Sequence, residues 1–162
     1  MQRMWSSKLG LSGTAETLVQ ELLQLLVESS ADYSMFFRRL SDLPDQIDPL
    51  RDCFYLPLSA TLESQWQDWL QRWRAQWPHG VDPALISAGM RRVNPAITWR
   101  EWLIAPAYQQ AAEGNTSLMA ELQQLFSAPY DTPSPDLAAR YDRLKPREFF
   151  SAGGVSHYSC SS

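Results

Sequence analysis

The sequence predicts an all-α fold, an irregular multi-helix domain. Apolar residues recur at helical spacing in one segment after another, paired cap-and-proline signals open several of these segments, and no stretch alternates like a strand. No internal repeat at a solenoid period is visible either.

From Thr14 to Glu28, Leu18, Leu22, Leu25 and Leu26 trace one face of an amphipathic helix, and Val19 and Leu23 widen the stripe, which predicts a well-buried element. Asp32 is placed to cap a second helix through Phe36, Phe37 and Leu40. Leu43-Pro44-Asp45 ends it, because proline lacks an amide donor and restricts the residue before it. Pro44, Pro49 and Pro57 make residues 45–58 a loop with at most a short helical turn. Leu62, Trp66, Trp69, Leu70, Trp73 and Trp77 then give the clearest helical spacing in the chain, stopped by Pro78-His79-Gly80. Core or interface packing is the ordinary use of such a tryptophan stripe; stacking on a cofactor is the alternative.

Asp82-Pro83 opens the next helix, since aspartate caps free amides and the fixed φ of proline suits the first helical position. It runs to about Val93 and ends at Asn94-Pro95. Another spans Thr98 to Glu113, with a kink or break expected at Pro106 and Gly114 as its C-terminal cap. Thr116 opens a helix carrying Leu118, Leu122, Leu125 and Phe126, and Ser134-Pro135 repeats the cap-then-proline signal for a last short helix through Leu137 and Tyr141. Periodicity fades from Lys145. The expected organisation is a helical domain over 1–144 and an irregular tail over 145–162 containing Gly153-Gly154.

The hydrophobic fraction of 44% and charged fraction of 20% are those of a globular protein. A net charge of -4 argues against nucleic acid as a partner, and the pairs Arg38-Arg39 and Arg91-Arg92 are too isolated to make a basic face. No run is long and apolar enough for a membrane span, and the first residues lack the apolar stretch of a secretion signal, so a cytoplasmic setting is expected. Two cysteines, Cys53 and Cys160, build no disulfide framework and have no partner at zinc-ligand spacing.

Catalytic, cofactor-binding and metal-binding residues cannot be assigned from these patterns. Gly10-Leu11-Ser12-Gly13 lacks the spacing and lysine of a phosphate-binding loop, and His79 and His157 belong to no nucleophile or metal motif. Asp42, Asp45 and Asp48 could serve a magnesium ion, but capping and solubility are the commoner roles of such spacing. Cys53, beside Phe54-Tyr55-Leu56, reads as a small core residue. Cys160, among small polar residues, reads as an accessible thiol and is the one redox candidate.

Several short motifs resemble those of the C-terminal part of selenoprotein O, the SelO group of protein adenylyltransferases with a pseudokinase fold. Lys8-Leu9-Gly10-Leu11 resembles the family's K-L-G-L segment, and Asp32 through Leu40 its D-[FY]-[TS]-x-x-F-R-x-L helix. Met90-Arg91-Arg92-Val93-Asn94-Pro95 is similar to M-x-x-V-N-P, and Ala112-Glu113-Gly114-Asn115 to A-E-x-G-[DN]. Ser159-Cys160-Ser161-Ser162 resembles a tail in which animal members carry selenocysteine at the cysteine position. After Asn94-Pro95 the family has an arginine followed by asparagine; here Arg100 is followed by Glu101.

The resemblance implies transfer of AMP from ATP, with Mg or Mn, to Ser, Thr or Tyr hydroxyls of protein substrates. It also implies that the nucleotide and metal residues lie in a kinase-like N-terminal portion, the expected partner of this segment, and that none of them maps here. Only Cys160 carries over, as a redox-responsive thiol. Two other readings remain open on the residues: a free-standing helical protein-interaction module binding through its Leu62–Trp77 face, and a small thiol enzyme built on Cys160.

Overall fold

The structure is a computed structural model describing residues 2–13 and 15–150. The described residues form eight α-helices and two 3-10 helices with no strand, only an isolated antiparallel bridge between Ala31 and Phe54. The all-α expectation holds. His157, Cys160 and the Gly153-Gly154 pair lie outside the described residues.

Helix α1 (Gln2–Leu9) is not signalled by the sequence pattern, because its short stretch QRMWSSKL offers too few apolar positions to show a period. Helix α2 (Glu16–Glu28) buries Leu18, Leu22, Leu25 and Leu26 as expected. It is not buried all round: Leu23 is 38% exposed and Val27 80%, so the second apolar row faces outward. Helix α3 (Tyr33–Leu40) is capped by Asp32, whose side chain accepts from the Met35 amide at 3.0 Å. The proline-rich loop contains a 3-10 helix over Asp48–Cys53 and docks on the turn after α2, where the Asp32 amide donates to the Cys53 carbonyl at 2.7 Å.

Helix α4 (Ala60–Ala75) starts at a serine cap, Ser59 accepting from the Leu62 amide. Its Trp66, Trp69 and Trp73 are fully buried. Their rings form a continuous ladder, with Trp69 and Trp73 stacked at 5.8 Å and Trp66 and Trp77 edge-on at either end. The indole N–H groups of these three reach back to earlier segments, Trp66 to the Ser29 hydroxyl, Trp69 to the Leu18 carbonyl and Trp73 to the Leu9 carbonyl, whereas the buried Trp77 Nε1 has no hydrogen-bond partner among the described residues. The stripe is core, its rings occupied by packing against one another and against α1 to α3.

Helix α5 (Pro83–Arg91) opens on the Asp82-Pro83 signal, with Asp82 accepting from Ala84 at 2.9 Å. Helix α6 (Glu101–Ala112) runs through Pro106 unbroken. The proline, sixth of the twelve residues, removes a single ladder bond, the one its amide would make to the Trp102 carbonyl. Gly114, at φ +91, ends α6 as expected. Helix α7 (Ser117–Ser127) takes its cap from Asn115, which accepts from the Ser117 amide at 3.1 Å, while the Thr116 side chain makes no cap bond. Helix α8 (Pro135–Tyr141) uses the Ser134 cap, and a second 3-10 helix covers Arg147–Phe150.

Two hydrophobic clusters result. The larger joins α1 to α5 around Phe36, Phe37, Trp66, Trp69 and Trp73; the smaller joins α6, α7 and α8 around Trp102, Leu103, Ala107, Leu122 and Tyr141. No described helix is long and apolar enough to cross a membrane.

Candidate functional site

Three of the five motif segments, those of Lys8, Arg38 and Asn94, converge at the C-terminal end of α1. A helix leaves its last four carbonyls without intrahelical donors. In α1 all four are paired: Ser6 by the Leu11 amide, Ser7 by the Gly10 amide, Lys8 by the Asn94 side-chain amide and Leu9 by the Trp73 indole. Gly10 makes the reversal at φ +65, and a Cβ there would stand 2.5 Å from Ile86 Cγ2 and 2.9 Å from Met90 Sδ. Only glycine fits this position on both counts.

Asn94, fully buried, has both polar side-chain atoms engaged. Its Nδ2 donates to the Lys8 carbonyl at 2.9 Å and the Ser41 hydroxyl at 3.1 Å, its Oδ1 accepts from Lys8 Nζ at 3.1 Å, and its carbonyl accepts from Arg38 at 3.1 Å. Arg38 is 5% exposed and also donates to the Arg91 and Tyr130 carbonyls. The cation thus caps the C-terminal end of α5, where the helix dipole favours positive charge. Desolvation and the neighbouring Arg91 lower its pKa, while Asp42 and Asp142 partly offset this. Burial likewise lowers the pKa of the Lys8 ammonium, which lies 4.7 Å from the Phe37 ring centroid.

A second junction lies alongside. Arg100 forks onto Asp32 with two bonds of 2.9 Å, both side chains nearly buried, while Asp32 also caps α3. Glu101, which stands where the family pattern has asparagine, occupies the first turn of α6 and suits its positive end. Arg39 joins Asp142 at 2.7 Å to Asp52 at 3.1 Å; its guanidinium is desolvated, yet hydrogen bonds to Asp142 and Asp52 raise its pKa overall.

Chemically, the arrangement holds segments together. Cys53 is fully buried, and burial, with Asp52 beside it, pushes its thiol pKa up, the reverse of a reactive cysteine. His79 is exposed. Asp42 pairs with Arg91 and Asp48 with Arg51, and the described residues contain no group of three or more His, Cys, Asp or Glu able to hold a metal. Lys8, Arg38 and Asn94 stand in the sequence as letters of motifs, with nothing local to give them a role. Lys8 is the one polar residue of its motif, but Arg38 shares its motif with Asp32, Ser34 and Arg39, and Asn94 shares its own with Arg91 and Arg92, so polarity does not single them out.

Comparison with known proteins gives the family. Residues 1–127 match the family model for the protein adenylyltransferase SelO. The protein nucleotidyltransferase YdiU of Aromatoleum aromaticum is 32% identical over 99% of this chain, which covers 32% of that protein. Those of Methylobacillus flagellatus and Xanthomonas axonopodis pv. citri are 33% and 35% identical over 91% and 97% of this chain, covering 29% and 32% of theirs. The chain thus spans about a third of the length of the curated relatives it matches. With the motifs around Lys8, Arg38 and Asn94 seated at one junction of the fold, the chain belongs to the SelO protein adenylyltransferase family.

Proposed function

We propose that this chain acts as the C-terminal helical segment of a SelO-type nucleotidyltransferase, bracing a kinase-like N-terminal portion without performing chemistry itself. In the complete enzyme that portion would bind ATP with Mg or Mn and transfer AMP to Ser, Thr or Tyr hydroxyls of protein substrates in the cytoplasm. Cys160 would serve there as a redox-responsive thiol. The observation that carries this reading is that the family motifs, from Lys8-Leu9-Gly10-Leu11 through Asn94, are occupied by packing within the chain. A motif used wholly for internal bonds stabilises a segment; it does not bind a substrate.

The interaction-module reading relied on the Leu62–Trp77 face, and that face is buried against α1 and α2. A chimera in which this chain replaces the matching segment of the Aromatoleum aromaticum relative tests the proposal. With radiolabelled ATP and manganese the chimera is expected to transfer nucleotide, and the isolated chain is expected to take up none. Labelling by the isolated chain, or a chimera that neither folds nor transfers, overturns the reading.

A further inference from the structure

Helix α2 carries two apolar rows, of which the fold buries one and, at Val19, only the start of the other. Leu18, Leu22, Leu25 and Leu26 enter the core, while Val19, Leu23 and Val27, four residues apart, form a second row on the adjoining face. Leu23 is 38% exposed and Val27 80%. Beside this row runs a groove of about 470 Å³ whose other wall is Trp5, Leu9 and Leu11. Met4, on the same helix as Trp5, is 47% exposed. Isolated exposed apolar residues need no explanation, but a periodic row continuous with an apolar groove marks a surface that another element covers.

The chain accounts for about a third of the relatives it matches, so two-thirds of a full-length member lies outside it. Building on the reading above, we propose that the row Val19–Leu23–Val27 and the groove beside Trp5 form the docking face for that remaining portion. The portion presents an apolar ridge that fills the groove and covers the row.

Hydroxyl-radical footprinting of the isolated chain and of the full-length chimera tests this directly. Oxidation of Met4, Leu23 and Val27 is expected to fall several-fold in the chimera. The double variant Leu23→Glu/Val27→Glu is expected to leave the circular dichroism and melting temperature of the isolated chain nearly unchanged, since both residues already meet solvent. In the chimera the same variant is expected to restore oxidation at Met4 and lower nucleotide transfer. Equal oxidation of Val27 in both proteins overturns the docking face, as does a variant chimera that stays protected and active. Concentration-dependent protection of Val27 in the isolated chain assigns the face to a second copy and also overturns it. A chimera that fails to fold before any substitution overturns the parent reading instead.

Discussion

Asn94 shows at the scale of one residue how a family motif becomes structure. Its side-chain amide and its carbonyl tie the end of α1, the turn after α3 and the end of α5 together by direct bonds. Replacement by alanine leaves the Lys8 carbonyl and the Lys8 ammonium without this partner inside the fold. The expected loss of stability is about 3 kcal/mol, because each buried group left unpaired costs roughly 1–3 kcal/mol. Urea unfolding of Asn94→Ala measures it, and a loss under about 1 kcal/mol would refute the account. Tyr141 gives a pH signature of the smaller cluster. Burial, and its hydrogen bond to Glu121, push its pKa from the ordinary 10.0 to about 12. A phenol that holds its proton more tightly when folded contributes stability fully below 10, and that contribution is lost as pH rises towards about 12. Urea unfolding across this window is expected to show falling stability, with a shallower fall in Tyr141→Phe; equal slopes in the two proteins would count against the assignment.

At the scale of elements, the three buried indoles of α4 make chemically similar bonds of unequal worth. Trp69 donates to the Leu18 carbonyl, which lies inside α2 and already accepts from the helical ladder. Trp73 donates to the Leu9 carbonyl, the last of α1, which has no ladder donor. Trp73→Phe is therefore expected to destabilise more than Trp69→Phe by about 1 kcal/mol, although both remove the same atoms. Thermal or urea unfolding of the two variants compares them directly, and an equal loss would place the energy in ring packing alone. The same contrast explains what is legible in the sequence. Helices α3, α5 and α8 are announced by Asp32, Asp82-Pro83 and Ser134-Pro135, because a cap is a local bond between neighbours in sequence. Helix α1 is not legible, since its end is held by Asn94 and by Trp73, 86 and 64 residues from their acceptors. The periodicity of α2 is plain in the sequence, but burial of its second row depends on what surrounds it, which no period reveals.

Across the whole molecule, the two hydrophobic clusters are joined by a polar seam. Arg38 reaches from α3 to the Tyr130 carbonyl, Arg39 reaches Asp142, Thr98 donates to Ser34, and Arg100 forks onto Asp32. The individual residues are visible in the sequence, but their pairing is not, because partners such as Asp32 and Arg100 stand 68 residues apart. Apolar contacts alone would let each cluster open separately; directional bonds across the seam make one cluster's order depend on the other's. Of these, the Arg100–Asp32 pair is the most shielded fork, with side chains 11% and 12% exposed. Arg100→Ala leaves Asp32 charged and nearly buried, a loss of about 3–5 kcal/mol for a fully buried pair and somewhat less here because both groups keep some contact with solvent. The uneven distribution of that loss is the sharper expectation. Asp32 keeps its cap bond to Met35, so α3 and the tryptophan ladder remain folded, while α6, α7 and α8 lose their most shielded tie to the larger cluster. Calorimetry of Arg100→Ala is expected to resolve an early transition, and hydrogen exchange is expected to quicken in 101–141 before it does in 60–75. A single transition shifted down as a whole would mean that the seam joins two halves that already fold as one.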